Sequence, residues 1–450
     1  MQNQRLFFRM LLASALAASV HAAAPPNIVF ILADDLGWAD VAFHGGNAPT
    51  PCLDRLVAES VELTRHYVAP VCTPTRSALM TGRYWSRFGV TSPQNERALP
   101  ADTLTLPKAL KSLGYETCLT GKWHLGSKPE WGPKQYGFDH SYGSMAGGVG
   151  PYDHRYKTGP YSVTWHRNGE LITETGHVTD LITEEALKWL EQRKAAPFFL
   201  YVPFTAVHLP VKEPKAWLDQ VPAAITGEVA RHYAACVMHL DHSISRLLAA
   251  LEKNGQRDNT LVIFTSDNGG STAQNNDRQY PPDNYPEGKL PGNNLPLRGQ
   301  KGQLYEGGIR APTLVHWPGK LKPGKFNSPA HIIDWMPTLC EVAGWRVPAG
   351  ANLKWDGRSL WPALSGGAAP EPRALYWAAP GFRARAVQHL DWKLILSGQG
   401  EAQKTELFNL QEDPGETKNL ASSQSDKVAA LRALLQQIAE HDRDAVAAKE

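Results

Sequence analysis

Cys72, Thr73, Pro74, Thr75 and Arg76 put a thiol, a turn-favouring proline and a guanidinium within one short string. The string runs on as Ser77-Ala78-Leu79-Met80-Thr81-Gly82-Arg83, a largely apolar helical stretch. Proline is tolerated in the first turn of a helix, where its missing N–H would be unpaired anyway. Cys72 is therefore predicted at a helix N-terminus, where free N–H groups and the helix dipole favour an anion. Arg76 falls one turn further along the same face. A nucleophile beside a fixed cation at a helix start suits a tetrahedral oxyanion. A buried free cysteine next to a turn would give the same residues, so the rest of the chain has to decide.

Two oxygen-rich clusters follow apolar runs. Asp34-Asp35 ends the run Pro26 to Ala33, and Asp267-Asn268-Gly269-Gly270 follows Thr260 to Thr265. Hard oxygen side chains on two strand ends fit Ca²⁺ or Mg²⁺. Asx turns account for either cluster alone. In Gly121-Lys122-Trp123-His124-Leu125-Gly126, Lys122 and His124 alternate with apolar residues and share one side of an extended segment. His208 lies in Thr205-Ala206-Val207-His208-Leu209-Pro210, and Lys301 in Leu297-Arg298-Gly299-Gln300-Lys301-Gly302. Taken singly, these are ordinary surface lysines and hydrogen-bonded loop histidines.

The elements that must carry these groups alternate. Short apolar strands are predicted at Pro26–Ala33, Tyr115–Thr120, Phe198–Val202 and Thr260–Thr265. Helices are predicted from Thr50-Pro51 to about Val61, from Thr105 to Leu113, from Val178 to Arg193 and from about Gly227 to Asn254. Buried strands alternating with helices indicate an α/β fold with a large, mostly parallel sheet flanked by helices. The clusters at Asp34-Asp35, Lys122/His124, His208 and Asp267-Asn268 fall at strand carboxyl ends, where open α/β sheets place ligands. Asn275 to Pro296 reads as a long surface loop. Beyond Gly344 the pattern changes to short strands (Ala374–Trp377, Arg385–Leu390, Trp392–Leu396, Glu406–Asn409) and a helix from Ser425. This predicts a smaller C-terminal antiparallel sheet plus one helix. Residues 24–344 then form the catalytic domain and 345–450 a C-terminal α+β subdomain.

Composition excludes little else. The formal net charge of +2 over 450 residues gives no bulk attraction for nucleic acid or membrane. Residues 1–23 combine Arg5 and Arg9 with a short apolar core and small residues, the pattern of a secretory signal peptide. That predicts an exported, periplasmic or secreted protein. The five cysteines are widely spaced with no C-x-x-C, so few or no disulfides and no zinc motif are expected.

The string from Pro70-Val71-Cys72 through Thr81-Gly82 resembles the signature of type I sulfatases, in the alkaline phosphatase superfamily. Asp34-Asp35-Leu36-Gly37-Trp38, Gly121 to Gly126, the His208-x-Pro210 segment, Asp267 to Gly270 and Lys301-Gly302…Tyr305-Glu306-Gly307-Gly308-Ile309-Arg310 match further blocks in family order. The resemblance covers roughly Asn27 to Gly344. It implies an alkaline-phosphatase-like fold and hydrolysis of sulfate monoesters. It also implies Cα-formylglycine made from Cys72 by a formylglycine-generating enzyme, its hydrate being the nucleophile. One Ca²⁺ would be held by Asp34, Asp35, Asp267 and Asn268, near residue 72. Arg76, Lys122 and Lys301 would neutralise the sulfate group. His208 would protonate the leaving alcohol, with Lys301 assisting, and His124 would take a proton in the later elimination. Segments around Gly37–Gly45, Phe138–His154 and Trp165–Glu170 resemble the arylsulfatase B branch. This implies a sulfated carbohydrate, with a 4-O-sulfate on a galacto-configured sugar as the finer expectation. His44, Tyr152, Asp153 and His154 are the candidate sugar contacts, and ordinary loop packing accounts for them equally well. Two other readings stay open: a phosphatase or phosphodiesterase of the same superfold, and a non-catalytic glycan-binding protein with unmodified Cys72.

Overall fold

The computed structural model describes residues 24–193 and 196–447; the expected leader lies outside the described residues. A ten-stranded sheet organises the chain. Its five central strands are Thr260–Ser266, Asn27–Ala33, Phe198–Pro203, Glu116–Thr120 and His140–Ser144, in that spatial order and mutually parallel. Antiparallel pairing appears only toward the margins, where Leu314–His316 joins Thr260–Ser266 and Trp165–Arg167 joins His140–Ser144. Asn27–Ala33 is buried along its whole length. Its alternate residues feed two cores: Ile28, Phe30 and Leu32 on one face, Val29, Ile31 and Ala33 on the other. This is why the strand reads as a continuous apolar run rather than an alternating one.

On the second face lie the helices Val178–Glu191 and Glu228–Lys253. The first face carries Cys72–Thr81 and Leu106–Lys111, and the C-terminal elements share the same core. The helix Cys72–Thr81 ends at Gly82, whose φ of 68° and N–H to Ala78 O close the last turn. The helix predicted to reach Val61 stops at Ala58, because Val61–Leu63 is recruited as a strand between Leu314–His316 and Gly324–Phe326. The C-terminal sheet has four antiparallel strands, Ala374–Ala378, Ala384–His389, Trp392–Ser397 and Lys404–Asn409, covered by the helix Ser425–Ala439. All five cysteines are buried and unpaired.

A buried ion cluster fastens this small sheet to the large one. Lys393 Nζ lies 3.0 Å from Glu306 Oε1 and 2.9 Å from Glu416 Oε1, all three side chains being inaccessible to solvent or nearly so. Glu306 also accepts from Tyr67 Oη at 3.0 Å, and Glu416 accepts the Glu306 N–H at 2.7 Å. Charges this deep persist only when paired and hydrogen-bonded.

Candidate active site

Six chain segments converge at the carboxyl ends of the parallel strands. The helix start at Cys72 brings the thiol, and all ten residues of that helix are buried. One turn on, Arg76 spans three acceptors. Its Nη1 donates to Lys122 O at 2.7 Å and its Nη2 to Asp267 Oδ2 at 2.8 Å, with Asp34 Oδ2 at 3.5 Å. Thr75, between them, donates to Asp267 O at 2.6 Å and accepts from Ala69 N at 2.9 Å. The motif thus ties the helix start to the Asp267 loop through backbone as well as charge.

Lys122 and His124 extend from the strand Glu116–Thr120. Lys122 N–H pairs with Pro203 O, and the Trp123 and His124 N–H groups pair with Ser144 O and Met145 O. The segment is therefore held between two neighbouring strands. Gly121 makes this possible: its φ is 136°, and a Cβ there would sit 2.0 Å from Pro203 O. Lys122 Nζ reaches Asp34 Oδ2 at 2.5 Å. Lys301 Nζ lies 2.7 Å from Asp35 Oδ1, and His208 Nε2 3.8 Å from Asp35 Oδ2. Asp35 N–H closes the ring on Asp267 Oδ1 at 3.2 Å.

Three carboxylates (Asp34, Asp35, Asp267) face three cations (Arg76, Lys122, Lys301) in a water-poor pocket. Burial pushes Asp35 up, but Lys301 and His208 outweigh it and hold the carboxyl below its ordinary value. Burial and the neighbouring Asp34 push Asp267 up against Arg76 and the lysines. Burial works against the charge on Lys301 and Lys122, yet the facing carboxylates raise both above the usual lysine value. Burial raises the Cys72 thiol too, against the pull of Lys122 and Lys301, so an unmodified thiol stays protonated and weakly nucleophilic. Burial and nearby cations hold His124 and His208 far below the usual histidine range. Both ring nitrogens of His124 are buried without a hydrogen-bond partner, whereas His208 Nδ1 donates to Leu209 O.

The oxygen set fits a hard cation. Asp34 Oδ1 and Asn268 Oδ1 are buried with no hydrogen-bond partner. Asn268 is oriented by its amide nitrogen, which donates to Asp35 Oδ1 at 2.8 Å. Unsatisfied buried oxygens beside paired carboxylates are what a divalent ion would complete. With a dication added, the balanced ring carries a net positive charge suited to a monoanionic ester.

The expected sugar contacts divide. His44 has both ring nitrogens occupied inside the fold, on Trp38 O and Glu62 Oε1, each at 2.9 Å, and its ring stacks on Trp38. His154 is buried, stacks on Trp165 and bonds Gly176 O at 3.0 Å. Tyr152 and Asp153 are only half-buried. Tyr156 is a residue that the motif blocks do not flag. It packs over Gly147, whose added Cβ would lie 2.6 Å from its ring, and it lies within electrostatic reach of Cys72 and Lys122. Its one advance signal was its place just beyond the Gly150–His154 segment.

The Sulfatase family model matches residues 26–345, more than half of the chain and including every residue just described. The chain belongs to the sulfatase family. A second model, N-sulphoglucosamine sulphohydrolase, C-terminal, matches residues 300–444. Among similar sulfatases, arylsulfatase J of Mus musculus is 36% identical over 76% of this chain and 56% of its own length. N-acetylgalactosamine-6-sulfatase of Mus musculus is 31% identical over 94% of this chain and 87% of its own. The solved structure of Ps i-CgsB in complex with k-i-k-neocarrahexaose superposes with a TM-score of 0.81 and 31% identity, covering 94% of this chain and 95% of that one. The sulfatases are sulfuric ester hydrolases, and the alkaline-phosphatase-like architecture agrees with the sheet described above.

Proposed function

We propose that this sulfatase desulfates a sulfated glycan, using the hydrated Cα-formylglycine derived from Cys72 and one Ca²⁺ held by Asp34, Asp35, Asp267 and Asn268. The observation that carries the reading is the ring of three fixed cations and partnerless buried oxygens around the start of the Cys72 helix. The formylglycine hydrate supplies an oxygen nucleophile, and Ca²⁺ supplies positive charge at the sulfate oxygens. The chain's own residues do the rest. Arg76, Lys122 and Lys301 are preorganised against charge developing on the sulfate group, at no reorganisation cost during the step. Asp267, fixed by Arg76 and the Asp35 N–H, is placed as local base. His208 presents Nε2, with Nδ1 committed to Leu209 O; Asp35 and the incoming sulfate anion favour protonation of that Nε2, which then delivers the proton to the departing alcohol. Lys301, whose charge the facing carboxylates favour, assists by setting a cation against the leaving oxygen. His124, neutral and unpartnered, accepts the proton released when sulfate leaves.

The glycan reading draws support from relatives named for N-acetylgalactosamine 6-sulfate and from a structural neighbour solved with neocarrahexaose. The first of these also supports the galacto configuration. The 4-O position is the first to test, with 6-O as comparator; Tyr152 and Asp153 are the sugar contacts to probe. A formylglycine-generating enzyme is the implied maturation partner, and export follows from residues 1–23. Mass measurement of the peptide containing Cys72 tests the core of the proposal, since conversion removes H₂S and adds one oxygen. A chain with intact thiol that still releases sulfate, or a folded Cys72→Ala variant with undiminished turnover, would refute it.

A further inference from the structure

Asn294 is buried, and both ends of its amide bond a single glycine. Its Oδ1 accepts the Gly270 N–H at 2.8 Å, and its Nδ2 donates to Gly270 O at 3.1 Å. The side chain therefore pairs with Gly270 as the backbone of a neighbouring strand would. The pairing also fixes which end of the amide is oxygen, because the reverse setting would oppose two donors and two acceptors. Gly270 lies two residues after Asn268, and its carbonyl also accepts the Lys301 N–H at 3.2 Å. One carbonyl thus receives both the Asn294 amide and the backbone of a proposed catalytic cation.

The support behind Asn294 is equally specific. Asp40 accepts the N–H groups of Gly37 at 2.7 Å and Asn293 at 3.0 Å, and the Tyr233 hydroxyl at 2.7 Å. Gly37 lies two residues after Asp35. A Cβ at Gly37 would sit 2.4 Å from Asn293 O and 2.8 Å from Asn294 Oδ1, and one at Gly270 would sit 3.0 Å from Gly37 Cα. The loops that follow Asp35 and Asn268 therefore meet at Asn294 with no space for a side chain between them.

We propose that Asn294 is a positioning residue for the reaction: it holds Gly270 so that Asn268 and Lys301 keep fixed places beside Asp35. Both reach the same oxygen, with Asn268 Nδ2 at 2.8 Å and Lys301 Nζ at 2.7 Å from Asp35 Oδ1. Such a constellation needs locked supports, and the supports of its two arms meet at Gly270. The inference rests on the hydrolytic reading and adds to it a residue whose polar atoms act only through Gly270.

The test uses the full chain with Asn294→Ala and Asn294→Asp. Loss of a supporting hydrogen bond behind a ligand or charged group costs about 10–100-fold. Asn294→Ala should weaken Ca²⁺ binding, measured by calorimetry, by about tenfold, the low end of that range. At saturating Ca²⁺ its kcat should fall more on a sugar sulfate than on nitrophenyl sulfate, because Lys301 serves the leaving oxygen. Asn294→Asp supplies a signature that general loosening would not. Its carboxylate still accepts the Gly270 N–H but sets an oxygen against Gly270 O; protonation turns that oxygen into a donor and restores the pair. Burial and Asp40, which packs against the same Gly37, raise the introduced carboxyl. Asn294→Asp should therefore match Asn294→Ala at high pH and regain kcat and Ca²⁺ affinity relative to it as pH falls. Asn294→Ala carries the same Asp40 and is the control for its titration. Unchanged kcat and Ca²⁺ affinity in a folded Asn294→Ala variant overturn the proposal, as do parallel pH profiles of the two variants. If Asn294→Ala does not fold, the nearly isosteric Asn294→Asp decides by its pH profile against the unmodified chain. If the unmodified chain releases no sulfate, the hydrolytic reading fails, while the Ca²⁺ titrations still decide the role of Asn294.

Discussion

Arg76 and Asp267 are joined by a 2.8 Å bond between Nη2 and Oδ2, fully buried and spanning 191 residues of chain. The guanidinium proposed to face substrate is therefore also the clamp that fixes the Asp267 loop, a proposed metal-ligand segment. Its second arm, on Lys122 O, fixes the segment bearing a further cation.

Arg76→Lys keeps the charge but not the fork, since an ammonium cannot serve Asp267, Asp34 and Lys122 O in one plane. Turnover should fall by about 10²-fold or more, comparable to loss of a preorganised donor. Steady-state kinetics on an aryl sulfate checks this; a loss below tenfold would show that charge alone suffices.

Removal of the divalent ion should lower both turnover and thermal stability, because Asp34 Oδ1 and Asn268 Oδ1 would revert to unpaired buried oxygens. Asn268→Ala should weaken Ca²⁺ binding while leaving the Arg76–Asp267 bond in place. Metal content and calorimetric Ca²⁺ titration measure this directly. Retention of wild-type affinity in Asn268→Ala would remove that residue from the ligand set.

His208→Ala should hurt poor leaving groups more than good ones. A sugar sulfate should lose ~10²–10⁴-fold and a nitrophenyl sulfate far less, because a nitrophenolate departs without a proton. His124→Ala should slow both substrates alike, since its task follows departure of the alcohol. Identical substrate profiles for the two variants would exchange or cancel these roles.

His239 predicts a pH dependence of stability. Burial works against its charge, but bonds to Glu213 at 2.8 Å and Asp180 at 3.1 Å dominate and raise it from 6.5 to about 9. A group raised on folding binds its proton more tightly in the folded chain. Its stabilisation is thus complete below pH 6.5 and lost as pH climbs through about 9. The full shift corresponds to about 3 kcal/mol, and less is expected because Asp180 is half exposed and screened. His239→Gln should flatten the fall in denaturation midpoint between pH 6.5 and 9.

Lys393→Met should destabilise by about 3–5 kcal/mol, because Glu306 and Glu416 would be left buried and uncompensated. The effect should reach the metal loop. Glu306 precedes Gly307 and Gly308; Gly269 N–H bonds Gly308 O, and no side chain fits at Gly269, where a Cβ would lie 1.8 Å from Gly307 O. Chemical unfolding and Ca²⁺ affinity, both reduced in the variant, check the two halves. Unchanged Ca²⁺ affinity in the destabilised variant would uncouple the cluster from the site.

The central strands and the clustering of the proposed catalytic side chains were legible because they obey local rules. Asn27–Ala33 is apolar throughout because both faces are covered, and Asp34-Asp35, Lys122 and Asp267 sit where a parallel sheet ends. The marginal strands were not legible. Val61–Leu63 and Leu314–His316 have three residues each, and their pairing is set by partners far along the chain. His44 and His154 illustrate the same limit. A histidine in a glycan-like loop gives no hint of whether it faces solvent or, as here, stacks on Trp38 or Trp165. Lys393 was equally silent, since its partners Glu306 and Glu416 are distant in sequence.

The complete enclosure of the helix Cys72–Thr81 sets a schedule for the protein's birth. Its cover includes Asp267, which binds Thr75 and Arg76, and Gly302, whose N–H bonds Pro70 O. Those segments emerge from the ribosome long after Cys72. Any catalyst that modifies the Cys72 thiol must meet the nascent or unfolded chain, before its own later residues close the door. A molecule that folds first is locked out of maturation, and only unfolding would give it a second chance.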